Sequence, residues 1–128
     1  MDEYMKILMN FMQNLMTMKE ILDKGTSIKY YCKEFSPFID FFRNNVTYTY
    51  ELLYKHKDSE FKTEYIKLLD LLSDMCNNLE QFYNYSLLNN MSLTYEVEKY
   101  FNSFTYAMGS ALIQVGATMK LYKFEWHC

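Results

Sequence analysis

Apolar side chains recur at alternating spacings of three and four residues along most of this chain, which is the spacing of one helical face. The clearest run begins at Phe61 and ends at Phe82. Its members are Phe61, Tyr65, Leu68, Leu72, Met75, Leu79 and Phe82. A second run extends from Tyr4 to Leu22. Helices that bury one apolar face against each other form bundles, so the sequence predicts an all-α fold.

Caps and breakers predict where the first helices begin and end. The first helix should run from Asp2 to Lys24, because Gly25 supplies a stop signal. Ser27, or Thr26 before it, can then cap a short second segment that reaches Phe35. This segment is expected to be separate from the helix that follows.

A third helix is predicted from Pro37 towards His56, because Ser36 can cap it and proline fits a first helical turn. Within it, Asn44–Tyr50 alternates in polarity as a half-buried strand would. Leu121–Trp126 is the stretch that could pair with such a strand. Helix is favoured because a lone strand leaves its backbone groups without partners, but both states stay open at this point.

The fourth helix starts after a cap at Asp58 or Ser59, and 84–90 is expected to be a connection. A last helix, Leu93–Lys120, contains a run of 20 residues without charge, Tyr100–Met119. Its polar residues make membrane insertion costly, so we expect a buried helix and no membrane span. Small residues concentrate here and predict close packing: Ala107, Gly109, Ser110, Ala111, Gly116 and Ala117.

The fold expected from these patterns is a single helical domain over residues 1–128. It should be a bundle of four to five helices with a buried, small-residue C-terminal helix at its centre and the first helix beside it. Half of the residues are apolar and 23% are charged, so the chain can form a core.

The charge balance argues against a nucleic-acid partner. The net charge is -3, Arg43 is the only arginine, and the lysines are dispersed, whereas phosphate backbones require clustered basic residues. Cys32, Cys76 and Cys128 are an odd number at wide spacing, which indicates a reducing compartment and a cytoplasmic location.

No pattern in the sequence predicts a metal site, a cofactor or catalysis. His56, His127 and the cysteines lack the tight spacing of zinc ligands, and no glycine-rich phosphate loop occurs. Two carboxylate pairs stand at helical spacing, Glu60 with Glu64 and Asp70 with Asp74, but their polar neighbours place them on the solvent side. We therefore expect a protein that is not an enzyme.

One short segment provides an alternative. Phe42-Arg43-Asn44, followed by Tyr48 and Tyr50, resembles the Arg-Asn-x(3)-His-x-Tyr stretch of the HEPN family of small all-α proteins. The resemblance implies a ribonuclease or an antitoxin centred on Arg43. Tyr48 stands where that family has the histidine that moves the proton.

The surplus of tyrosine and methionine is the strongest indication of function, because both residue types suit partner surfaces. We expect a non-catalytic protein–protein interaction module that binds a protein partner, or itself as a homodimer, through faces of its first and third helices. Codons rich in A+T would produce this composition, which suggests a virus- or phage-encoded modulator of a host factor. A structural homo-oligomer subunit is a further alternative. The candidate partner-binding residues are Met5, Met9, Met12, Met16, Tyr30, Tyr31, Tyr48, Tyr50 and Tyr54.

Overall fold

Four α-helices make up nearly all of the chain. The computed structural model describes the backbone of residues 2–127 and the side chains of residues 2–122. The helices are α1 (Glu3–Lys24), α2 (Ile28–Tyr54), α3 (Glu60–Leu88) and α4 (Tyr95–His127). No strand occurs within residues 2–127, so the all-α prediction is confirmed. The strand alternative for Asn44–Tyr50 and Leu121–Trp126 is wrong, because both stretches lie inside long helices.

The helices run alternately up and down. The Tyr4 hydroxyl, at the start of α1, donates to the carbonyl of Leu52 near the end of α2. The Tyr4 ring also meets Phe61 at the start of α3, and Phe61 meets Tyr122 in the last part of α4. These contacts place the four helix ends together, as three short connections require.

Each helix packs against two neighbours, in the cyclic order α1, α2, α3, α4. Among the described residues the diagonal pairs meet only through side chains, such as the Phe35 and Phe104 rings at 4.8 Å. The expectation that the first helix lies beside the last is confirmed. The prediction of a central last helix is wrong, because α4 is one of four walls and leaves one face exposed.

Helix α2 is continuous through Pro37, so the predicted break at Ser36-Pro37 is wrong. It begins where the sequence predicted a shorter segment, with the Ser27 hydroxyl accepting from the Tyr30 amide at 3.1 Å. Proline removes one helical hydrogen bond, but Phe35 before it and Phe42 after it are fully buried. Burial of both rings on the same face outweighs that loss.

Helix α3 ends at Leu88 and thus extends five residues into the predicted connection at 84–90. Ser86 is buried, and Tyr85 stacks on Tyr100 of α4 at 5.4 Å between ring centroids. The turn comes later, where Asn90 and Met91 adopt positive φ angles of 52° and 62°. Tertiary contacts of the helix end therefore override the asparagine-rich composition of this segment.

The predicted seam of α3 is the centre of the core. All seven of its residues, from Phe61 to Phe82, are buried, and they join apolar side chains of the other three helices in one cluster. The small residues of α4 divide between two environments. Ala107 and Ala111 are buried as predicted. The prediction of close packing is wrong for Gly109 and Gly116, because a Cβ added at either would meet nothing within 4 Å.

Candidate functional site

The four methionines predicted to bind a partner follow one flank of α1. Met5 is only 7% exposed and belongs to the core, so its assignment to a partner surface is corrected. Met12 is half-buried against the same core. Met9 and Met16 are exposed. Burial alternates along this row, because Met5 and Met12 are seven residues apart and share one side of the helix, whereas Met9 and Met16 share another.

Internal hydrogen bonds hold three of the five predicted tyrosines. The Tyr31 hydroxyl lies 2.8 Å from the Gly25 carbonyl, and its ring is half-buried beside that of Tyr30. The Tyr50 hydroxyl donates to Asp70 on α3, whereas the Tyr48 hydroxyl donates to Glu3 on α1. These bonds occupy the hydroxyl groups of all three tyrosines, and Tyr31 and Tyr50 are also half-buried.

Burial, and then the hydrogen bond to Asp70, raise the pKa of Tyr50 above its ordinary value. Tyr54 has no such constraint and is 81% exposed. Four of the nine predicted residues are exposed, namely Met9 and Met16 on α1 and Tyr48 and Tyr54 on α2.

Exposed large apolar side chains also occur close together in sequence at the connection between α3 and α4. We call this group the connection patch, and it consists of Leu87, Leu88, Leu93 and Tyr95, all of which are exposed. No charged residue occurs from Gln81 to Tyr95. Contiguous exposed apolar surface with few charges is typical of the centre of a binding interface.

An apolar cavity of about 170 Å³ adjoins this patch. Leu93 of the patch lines it, together with Ile28 at the start of α2 and Val97 in the first turn of α4. Among the described residues that line the cavity, Glu98 is the one that carries a charge. Apolar cavities of about 150 Å³ accept a molecule the size of benzene, so this one can accept one aromatic or branched side chain.

Three aromatic rings give the cavity a fixed shape. Tyr31 is held by its hydroxyl contact with Gly25, and its ring lies 4.9 Å from that of Phe101. Phe101 in turn lies 5.1 Å from Phe82 at the end of α3. A pocket whose walls are already ordered loses little entropy when a ligand enters it. The patterns of the sequence did not predict this site, although the charge-free run from Gln81 to Tyr95 was a signal for it.

The outer face of α4 is the second surface that the sequence analysis missed. Tyr106 and Ile113 are both 78% exposed, within the uncharged run Tyr100–Met119. Gly109 and Gly116 border the same face and have open space above them. A sequence pattern without charges predicts a helix that is buried on all sides, but here one side of the helix faces outward.

Arg43 lines a different and more polar cavity of about 210 Å³, with Tyr50 and the buried Cys76. Its guanidinium donates to the Glu80 carboxylate at 2.8 Å and to the Asn77 side chain at 3.0 Å. Burial raises the pKa of the Cys76 thiol to about 11. Since Tyr48 points to α1, the structure does not bring Arg43 and Tyr48 into one site.

Metal sites and membrane-spanning helices are both absent from the part of the chain that the structure describes. No group of three or more His, Cys, Asp or Glu side chains there could hold a metal ion, and no helix there has the length and apolarity needed to cross a membrane. Of the two carboxylate pairs, Asp70 and Asp74 are exposed, and Glu64 bonds to Gln114.

Comparisons of the chain with models of protein families, with curated proteins and with solved structures found no match.

Proposed function

We propose that this chain is a non-catalytic interaction protein whose connection patch and adjoining cavity bind a segment of a protein partner. One observation carries the proposal: four large apolar side chains are exposed beside a preformed apolar cavity, in a stretch without charge. Binding energy at protein interfaces concentrates where an apolar anchor fills such a cavity and neighbouring contacts exclude water.

The charges around the cavity indicate the chemistry of the partner segment. Glu98 lines the cavity, and Glu96 lies in the same first turn of α4. A basic group on the segment, next to the apolar anchor, would be attracted by these carboxylates. The proposed ligand is therefore an apolar side chain, aromatic or branched, followed or preceded by a lysine or arginine.

The source and the setting of this interaction rest on composition. The predominance of residues with A+T-rich codons supports a virus- or phage-encoded protein that modulates a host factor in the cytoplasm. The ribonuclease alternative gains no support, because Arg43 is paired with Glu80 and lies apart from Tyr48.

The test compares three single variants in quantitative co-purification of bound proteins from cells. Leu88→Glu and Leu93→Glu place a carboxylate in the connection patch, whereas Tyr54→Glu places one on the outside of α2 and is the control. We expect the partner to be recovered by the unchanged chain and by Tyr54→Glu, with at least a tenfold loss for both leucine variants. Equal recovery by all four proteins would contradict the proposal.

A further inference from the structure

We infer that the outer face of α4 binds a second copy of this chain in an antiparallel, two-fold pair. This inference concerns a surface separate from the connection patch and does not depend on the partner proposed above. The face is formed by Asn102, Tyr106, Gly109, Ile113, Gly116 and Lys120, which recur along one side of the helix.

The face has the spacing of a helix-pairing seam. Tyr106 and Ile113 are seven residues apart. Gly109 follows Tyr106 by three residues, and Gly116 follows Ile113 by three residues. This is the arrangement of the two core positions of a heptad repeat. The large members are exposed, and open space lies above both glycines, so the seam has projections and recesses that no side chain of residues 2–122 fills.

The projections and recesses fit each other when two copies of α4 pair antiparallel about the level of Ala111. Tyr106 of one copy then shares a layer with Gly116 of the second copy, and Ile113 shares a layer with Gly109. In antiparallel helix pairs each layer joins the two different heptad positions. Every layer thus combines one large residue with one glycine, and the two-fold axis repeats both kinds of layer. A glycine in each layer lets the two backbones approach closely.

Helix α1 widens this surface. Tyr4 and Tyr122 lie at one end of the bundle, and Tyr31 contacts both Leu22 and Phe101 at the other end. This antiparallel register places Met16 at about the level of Gly109 and Met9 at about the level of Gly116.

The exposed methionines lie on the α4 side of α1. Glu3 marks the opposite flank, because it accepts the hydroxyl of Tyr48 on α2. Met9 and Met16 lie more than a quarter turn away from Glu3 around the helix, next to the other neighbour of α1. Methionine adapts its shape to a partner, which suits side chains at the border of such a pair.

Charge favours a second copy over a different protein on this face. In a two-fold contact the residues near the axis meet their own equivalents, so a charge there would face a like charge. The run Tyr100–Met119 has none, although the rest of the chain carries 29 charged residues. An uncharged centre avoids such like-charge contacts in a symmetric pair.

The size of the face indicates a weak pair. From Asn102 to Lys120 it is about 27 Å long, and two adjacent helices give a width of about 20 Å. Two such faces bury roughly 1,000 Å² in total, which is the lower limit for a specific interface. We therefore expect a dissociation constant of about 10 to 100 µM, near the weak end of the affinity scale.

The experiment is analytical ultracentrifugation of the full chain, from about 5 µM to about 1 mM, so that the expected dissociation constant lies inside the range. The variants Ile113→Lys and Ile113→Glu place two like charges in adjacent layers of the pair. Tyr54→Lys and Tyr54→Glu are the controls, because Tyr54 is 81% exposed and Ile113 is 78% exposed, and Tyr54 lies on α2, outside this face and outside the connection patch.

The unchanged chain and both Tyr54 variants should dimerise with similar constants, and each Ile113 variant alone should dimerise at least tenfold more weakly. An equimolar mixture of Ile113→Lys and Ile113→Glu should recover dimerisation, because unlike charges then occupy adjacent layers. A chain that stays monomeric at 1 mM would overturn the inference, as would a dimer that the Tyr54 variants weaken as much as the Ile113 variants. Neither result would affect partner binding at the connection patch, which the co-purification test measures separately.

Discussion

The side-chain amide of Gln114 on α4 donates to two oxygens of Glu64 on α3, the backbone carbonyl at 3.0 Å and the carboxylate at 2.6 Å. Lys67 donates to the same carboxylate at 3.1 Å. The bonds from Gln114 and then Lys67 lower the pKa of Glu64 below its ordinary value of 4.5. This contact ties together the two helices that pack most extensively.

Loss of the Gln114 amide should therefore destabilise the protein in a manner that depends on pH. Because the pKa of Glu64 is lower in the folded chain, its ionised form adds stability above pH 4.5, and this stability is lost as the pH falls through the folded value. We expect Gln114→Leu to cost about 1 to 2 kcal/mol in urea unfolding at pH 7. The cost should shrink at pH 3, and an equal cost at both values would contradict this role.

Gly25→Ala should destabilise the fold. A Cβ at this position would lie 2.1 Å from Cε1 of the Tyr31 ring, so the ring must move away from the carbonyls of Leu22 and Gly25. Such overpacking costs about 1 to 3 kcal/mol. Urea unfolding measures the loss, and a variant as stable as the unchanged chain would show that the ring moves freely.

Gly109→Ala should have the opposite effect on the isolated chain. Its Cβ would meet nothing within 4 Å, and alanine favours a helix by about 0.5 to 1 kcal/mol over glycine. Unfolding at a few µM protein, where self-association is small, should show this gain. At high concentration the same variant should dimerise more weakly, because the methyl group fills a recess of the seam.

The buried thiols should resist modification in the folded protein. Cys32 and Cys76 are both buried, and with a pKa of about 11 roughly one Cys76 in 1,000 is a thiolate at pH 8. In a Cys128→Ser variant, Ellman's reagent should label neither thiol during the time in which both react in 6 M guanidinium chloride. Rapid labelling of the folded protein would show that the α2–α3 contact opens readily.

Much of the fold follows from local sequence patterns. The seam from Phe61 to Phe82 is apolar at the right spacing and charged on the opposite side, so its buried face was predictable. Ser27 and Ser59 cap helices as predicted, since each hydroxyl accepts an amide three residues on. The helix boundary predicted at Pro37 was wrong because proline loses its hydrogen bond locally, within the helix. The burial of Phe35 and Phe42, which offsets that loss, depends on neighbouring helices.

The candidate site was less predictable for a physical reason. Exposure of an apolar residue depends on where the neighbouring helices lie, and a helix without charges gives no sign of its outer face. Tyr106 and Ile113 therefore resembled core residues, while Met5 resembled a surface one. The cavity beside Leu93 requires three helix ends to meet, and no local pattern encodes that meeting.

The proposed binding site can be tested directly with two small probes that share a benzyl group and differ in charge. Phenylethylamine and phenylpropionate would each be titrated into protein with ¹³C-labelled methyl groups. We expect shifts at Ile28, Leu93 and Val97, which line the cavity, with the amine bound more tightly than the acid. Glu98→Gln should remove that preference. Shifts elsewhere, or equal binding of both probes to the unchanged chain, would contradict a cavity built for an apolar side chain beside a basic group.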